Sequence, residues 1–134
     1  MHGRPWPTKG MTNSEEVVRR FFQAMHTWED MKFLELFEED GVYSEPFSGT
    51  VRVHRGRTAI GESFRSNWKV KPPNFRIEMG AIDVAGSRVR AEWQCTWDGL
   101  GGWMRGVDEF EVRNGRITRL EVQVTEMPGP PGTR

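Results

Sequence analysis

The chain has one cysteine, one tyrosine, no excess of charge of either sign and no long apolar run, and each shortage closes off a class of function. A lone Cys95 cannot form an intramolecular disulfide, which fits a reducing, cytoplasmic compartment. Its 19 basic residues are matched by 19 acidic ones, so no global field gathers nucleic acid or an anionic membrane. No stretch reaches the roughly 18 apolar residues of a membrane span, and the opening MHGRPWPTKG lacks the apolar centre of an export signal. His2, His26 and His54 stand at no metal-ligand spacing with acids or with Cys95, which predicts no metal. Neither G-x-G-x-x-G, P-loop nor nucleophile elbow is present, and no cofactor is expected.

What is there is enough for one domain. A chain of 134 residues can bury a real core. Six tryptophans and eight phenylalanines suit either dense core filling or a pocket for a flat apolar ligand. Residues 1–12 carry no periodic pattern and read as a flexible extension, with Met11 an alternative start. The tail MPGPPGTR cannot continue a strand, so 128–134 reads as a second loose end around a domain over 13–127.

Helices are expected first and strands after. Val17, Val18, Phe21, Phe22 and Met25 recur at helical spacing behind Asn13 and Glu16, an N-cap signature. Phe33, Leu34 and Phe37 predict a second short helix ended by Gly41, then a strand from Val42 to Glu45. Val51 to Arg57 reads as a basic, solvated loop, and Thr58 as the cap of a third helix with Ile60, Phe64 and Trp68 on one face. Strands are expected at about 75–84, 87–97, 103–113 and 116–126, the last two joined by Asn114-Gly115, a strong hairpin signal. Helices grouped ahead of a meander mean an α+β fold, with a curled, mainly antiparallel sheet around a cavity.

Alternation along 103–113 places Met104, Gly106, Asp108, Phe110 and Val112 on one face. Asp108 is the single charged group there, and its neighbours across the sheet are Trp93, Cys95, Trp97 and Val122. A carboxyl in such company resists ionisation, whether its role is chemical or purely structural. Glu45 precedes Pro46 at a strand end, where it is either a solvated loop residue or a second carboxyl at the pocket. Two carboxyls in unlike environments keep an acid and a base at neutral pH. His54 is either exposed or at the pocket mouth.

FLELFEEDGVYSEPFSG and RGVDEFEVRNGRITRL resemble segments of ketosteroid isomerases and polyketide-cyclase-like proteins of the nuclear transport factor 2-like superfamily, over about residues 13–126. The resemblance implies a cone-shaped fold enclosing a pocket, Glu45 as general base and Asp108 as a protonated acid. The logic of a carboxylic acid kept neutral to donate to an oxyanion is the known ketosteroid isomerase example. The isomerases place a tyrosine on the first helix; Phe21 and Phe22 stand here, and the lone tyrosine is Tyr43. Polyketide-cyclase relatives use an aspartate at the position of Asp108 without that tyrosine. Arg90-Ala91-Glu92 with Glu121 also resembles limonene-epoxide hydrolases, but alternation turns Arg90 and Glu92 outward.

Two function classes follow. One is a cofactor-independent isomerase, cyclase or dehydratase on an apolar carbonyl compound, with Asp108 and Glu45 catalytic and Phe22, Tyr43, His54, Trp68, Trp93, Trp97, Met104 and Val122 around an apolar or aromatic substrate. The other is a non-catalytic binding or assembly domain on the same fold. Mixed charges on the outer strand faces, from Arg88 to Gln94 and Arg119 to Gln123, suit a homodimer through the sheet.

Overall fold

A computed structural model describes residues 13–68 and 71–128. The expected extension 1–12 and the tail beyond Pro128 lie outside the described residues. Helix α1, Asn13–Ala24, buries Val17, Val18, Phe21 and Phe22. Its outer side carries the ion pairs Glu15–Arg19 and Glu16–Arg20, each four residues apart.

Met25, expected in the first helix, opens a 3₁₀ turn, Met25–Asp30, and the expected second helix is only another such turn, Lys32–Leu36, with Met31 between them at φ of 58°. Strand β1, Phe37–Glu45, therefore begins well ahead of Val42. Phe37 is fully buried and pairs with Ile117, so tertiary pairing overrides the local helical spacing. Gly41 lies inside the strand. A Cβ there would meet the carbonyl oxygens of Glu38 at 3.0 Å and Ile117 at 3.2 Å, at a shift in register.

Strand β2, Arg52–Arg55, is an edge strand where a loop was expected. Its pattern is inverted, with Arg52 and His54 turned inward and Val53 55% exposed, so hydropathy hid it. Helix α2, Arg57–Asn67, follows Gly56, not a Thr58 cap; Gly56 has φ of 90°. Strands β3 (Arg76–Ala85), β4 (Arg88–Thr96), β5 (Met104–Arg113) and β6 (Arg116–Glu126) complete the sheet. Asn114 and Gly115, at φ of 53° and 77°, make the turn between β5 and β6.

The six strands run β2-β1-β6-β5-β4-β3, antiparallel except for β1 beside β6. Both helices pack on one side of this curved sheet, giving an α+β cone. At its centre the ring of Phe21 stands edge-on to Phe22, Phe33, Phe37 and Phe110.

Candidate active site

Beside the Phe21 cluster, and lined in part by Phe21 itself, the cone holds a cavity of about 60 Å³. Phe22 and Met25 close it from the α1 end, Tyr43 from β1, and Phe64 and Trp68 from α2. The sheet supplies Trp93, Cys95, Met104, Asp108, Leu120 and Val122. The space equals roughly two water molecules and is far below the ~300 Å³ of a usual ligand site.

Asp108 is the one carboxyl in that lining. It stands between Ala91 of β4 and Val122 of β6, and it is 4% exposed. Trp93 Nε1 donates to its Oδ1 at 2.8 Å. Oδ2 has no hydrogen-bond partner among the described residues. Burial pushes the carboxyl up to about 8, and the Trp93 bond pulls only part of the way back. At neutral pH Asp108 is thus mostly a neutral acid, able to donate.

Tyr43, 2% exposed, stacks on Phe64 at a centroid distance of 5.1 Å and a 17° tilt. Its hydroxyl has no hydrogen-bond partner among the described residues. Burial, followed by the charges of Asp108 and Glu45, holds its proton well above the usual phenol range. Tyr43 and Asp108 are therefore two buried donors without protein acceptors, both lining one apolar space.

Glu45 is not in the lining. It shares the β1 face of Tyr43, but two residues further along, where β2 and α2 cover it completely. Its Oε1 accepts from the Phe47 N–H at 2.8 Å, and its Oε2 contacts His54 Nε2 at 2.9 Å and Arg52 Nε at 3.2 Å. Burial raises its pKa, but hydrogen bonds from His54, Phe47 and Asn67 and the Arg52 charge outweigh that, and the net shift is downward. Glu45 is an anchored carboxylate away from the cavity, and His54 is its partner rather than a cavity residue. Trp97 also stands behind the lining, edge-on to Trp68 at 5.7 Å and stacked on Phe75 at 6.4 Å.

Of the residues expected around the site, the structure brings Phe22, Tyr43, Trp68, Trp93, Met104, Asp108 and Val122 to one cavity. Phe21, Met25, Phe47, Phe64, Phe75, Ile77, Cys95 and Leu120 complete it and were not named as lining, although helical spacing marks Phe21, Met25 and Phe64, and strand alternation marks Cys95 and Leu120, as apolar-face residues. Ser63 and Asn67, the α2 members of the Glu45 cluster, carry no signal beyond their spacing of four on one helix face.

Residues 18–120 match the model of the SnoaL-like domain. The chain belongs to the SnoaL-like domain family. No curated protein sequence matches it. Solved structures do. A candidate ketosteroid isomerase from Kribbella flavida is 20% identical, with TM-score 0.68, covering 91% of this chain and 84% of its own. A candidate polyketide cyclase from Sinorhizobium meliloti is 21% identical, with TM-score 0.68, covering 88% and 100%. A nuclear transport factor 2-like protein of unknown function from Mesorhizobium loti is 24% identical, with TM-score 0.69, covering 92% and 98%. At these identities the likeness is one of fold.

Within this SnoaL-like domain the epoxide-hydrolase-like residues face away from the cavity. Arg90 pairs with Glu109 on the outer face at 2.6 Å, Glu92 is exposed, and Glu121 pairs with Arg119. No helix among the described residues is long and apolar enough to cross a membrane.

Proposed function

We propose that this SnoaL-like domain is a cofactor-independent enzyme acting on a small apolar, carbonyl-containing compound, with Asp108 as its acid. The observation that carries the reading is that Asp108, as a neutral carboxyl, and Tyr43, with an unpartnered hydroxyl, line one otherwise apolar cavity. A carbonyl oxygen entering that space meets two preformed donors. As bonds next to the carbonyl rearrange and negative charge grows on oxygen, both donors strengthen where no water competes. A carboxyl whose midpoint lies near neutrality can also give up a proton and take it back within one turnover. That suits isomerisation, dehydration or ring closure next to a carbonyl, and the similar structures include a candidate ketosteroid isomerase and a candidate polyketide cyclase.

Proton abstraction by Glu45 sits less well with its geometry, because both its oxygens are held by neighbours outside the cavity. Glu45 is better placed to anchor β1 against β2 and α2, and so to fix Tyr43 two residues away. The reading rests on Asp108 and Tyr43.

A second reading, a ligand-binding or assembly domain without turnover, is favoured by the small cavity of about 60 Å³. One experiment separates them. Native mass spectrometry of the purified protein identifies retained compounds, and these with a panel of aryl and conjugated ketones are then assayed by NMR. The enzyme reading expects turnover that falls at least about a hundredfold in Asp108→Asn and less in Tyr43→Phe, with binding kept. Binding without turnover in the wild type, or turnover indifferent to Asp108→Asn, overturns it.

A further inference from the structure

Gly106 lies directly opposite Trp93 in the β4–β5 pairing and has no need of a positive φ. What it provides is room. A Cβ built on Gly106 would overlap Cζ2 of the Trp93 ring and the carbonyl oxygen of Gln123, with Cε2 of the same ring at 2.7 Å. The indole therefore lies across the strand where a side chain would otherwise stand. From there it reaches diagonally past the Trp93–Gly106 pair to the next inward residue of β5, Asp108.

We infer that Trp93 and Gly106 are positioning residues for Asp108: Gly106 clears the space in which the indole lies, and the indole N–H, by occupying Oδ1, fixes the acid proton on Oδ2. The inference rests on the reading of Asp108 as the cavity's neutral acid. Trp93 Nε1 can only donate, and in a neutral carboxylic acid the carbonyl oxygen is the better acceptor. Oδ1, at 2.8 Å from that donor, is then the carbonyl oxygen, and Oδ2 is the hydroxyl. Oδ2 is also the oxygen with no partner among the described residues. The pair thus selects which oxygen presents the proton.

Little else can compete for that proton. Tyr43 on β1 and Cys95 on β4 are the other titratable groups in the lining, and burial holds both in their neutral forms. Every other lining side chain is Phe, Met, Trp, Leu, Ile or Val. Glu45, Arg52 and His54 lie in their own hydrogen-bonded cluster at the end of β1 and in β2. The indole N–H favours the charged form of Asp108, against the effect of burial. Removing it should raise the midpoint further, by about one pH unit for a hydrogen bond of ordinary net strength.

The test is an NMR titration of the intact chain. In the wild type the Trp93 indole N–H resonance should shift with the same midpoint as the Asp108 carboxyl carbon, a coupling that mere packing does not produce. In Trp93→Phe the Asp108 midpoint should move up. An indole resonance that stays flat while Asp108 titrates, or a folded Trp93→Phe protein whose midpoint is unchanged or lower, overturns the positioning role and leaves the acid reading standing. An Asp108 that titrates in the ordinary carboxylate range in the wild type removes the acid reading itself. Because the indole measurement needs no substitution, it decides the matter even if Trp93→Phe fails to fold.

Discussion

The carboxylate of Glu45 lies 2.9 Å from Nε2 of His54, inside a cluster that also includes Arg52 and the Phe47 N–H. That contact makes Glu45 a fastening between β1 and the edge strand β2. Removing its charge leaves part-buried donors without their anion. Glu45→Gln should therefore lower stability by about 1–3 kcal/mol near pH 7. The folded state holds the Glu45 pKa down, so its contribution is present above the ordinary carboxylate range and is lost as pH falls through the depressed value. Wild type and Glu45→Gln should then converge in stability only once the pH has fallen below that depressed value. Urea unfolding at stepped pH checks this; a gap that stays constant into acid contradicts the ionised, fastened Glu45.

Asp108 gives a slope of opposite sign. Its folded midpoint of about 8 lies above the ordinary 3.8, so folding favours the protonated form. The benefit is complete in acid and is lost as pH rises between those two values. Wild-type stability should accordingly fall from about pH 4 to pH 8 and then level off, by an amount on the order of a few kcal/mol. Asp108→Asn, which never ionises, should lack this slope and be the more stable protein at pH 8. Thermal melts across that range measure it, and a wild type whose stability is flat there counts against burial of Asp108 as a neutral acid.

Much of this geometry was legible in the strands and little of it in the connections. Period-two alternation along 103–113 singled out Asp108 and its apolar neighbours, because a strand buried on one face writes that face into every second residue. The Asn114-Gly115 turn fixed the register of the last hairpin for the same kind of local reason. The early part of the chain read less well. Phe33, Leu34 and Phe37 have helical spacing, but Phe37 is drawn into β1 by its partner Ile117, a contact 80 positions away that no local pattern carries. β2 escaped because its inward residues, Arg52 and His54, are polar and answer a buried carboxylate. Glu45 reads from the sequence as either solvated or at the pocket, and its full burial under β2 and α2 is not legible there, since alternation gives a residue's face and not what packs on it. Gly106 carried no visible signal, because its requirement is the width of a tryptophan on the neighbouring strand.

The outer face of the sheet bears on assembly. Its charges are already partly paired within the chain, as Arg90 with Glu109 and Gln94 with Glu78, and Val107 is buried at 6% exposure among them. A two-fold partner would meet a polar but well-ordered surface. The proposed homodimer through this face predicts a dimer mass by light scattering at micromolar concentration, and a shift toward monomer in the charge reversal Glu92→Arg. A monomer at all concentrations up to the millimolar range would exclude the interface.

A cavity that keeps Asp108 as a neutral acid shows itself in the midpoint of the Asp108 carboxyl carbon by NMR, assigned with Asp108→Asn. A single titration centred at about 8 is expected. A midpoint near the ordinary value of 3.8, in a protein that remains folded, would contradict it.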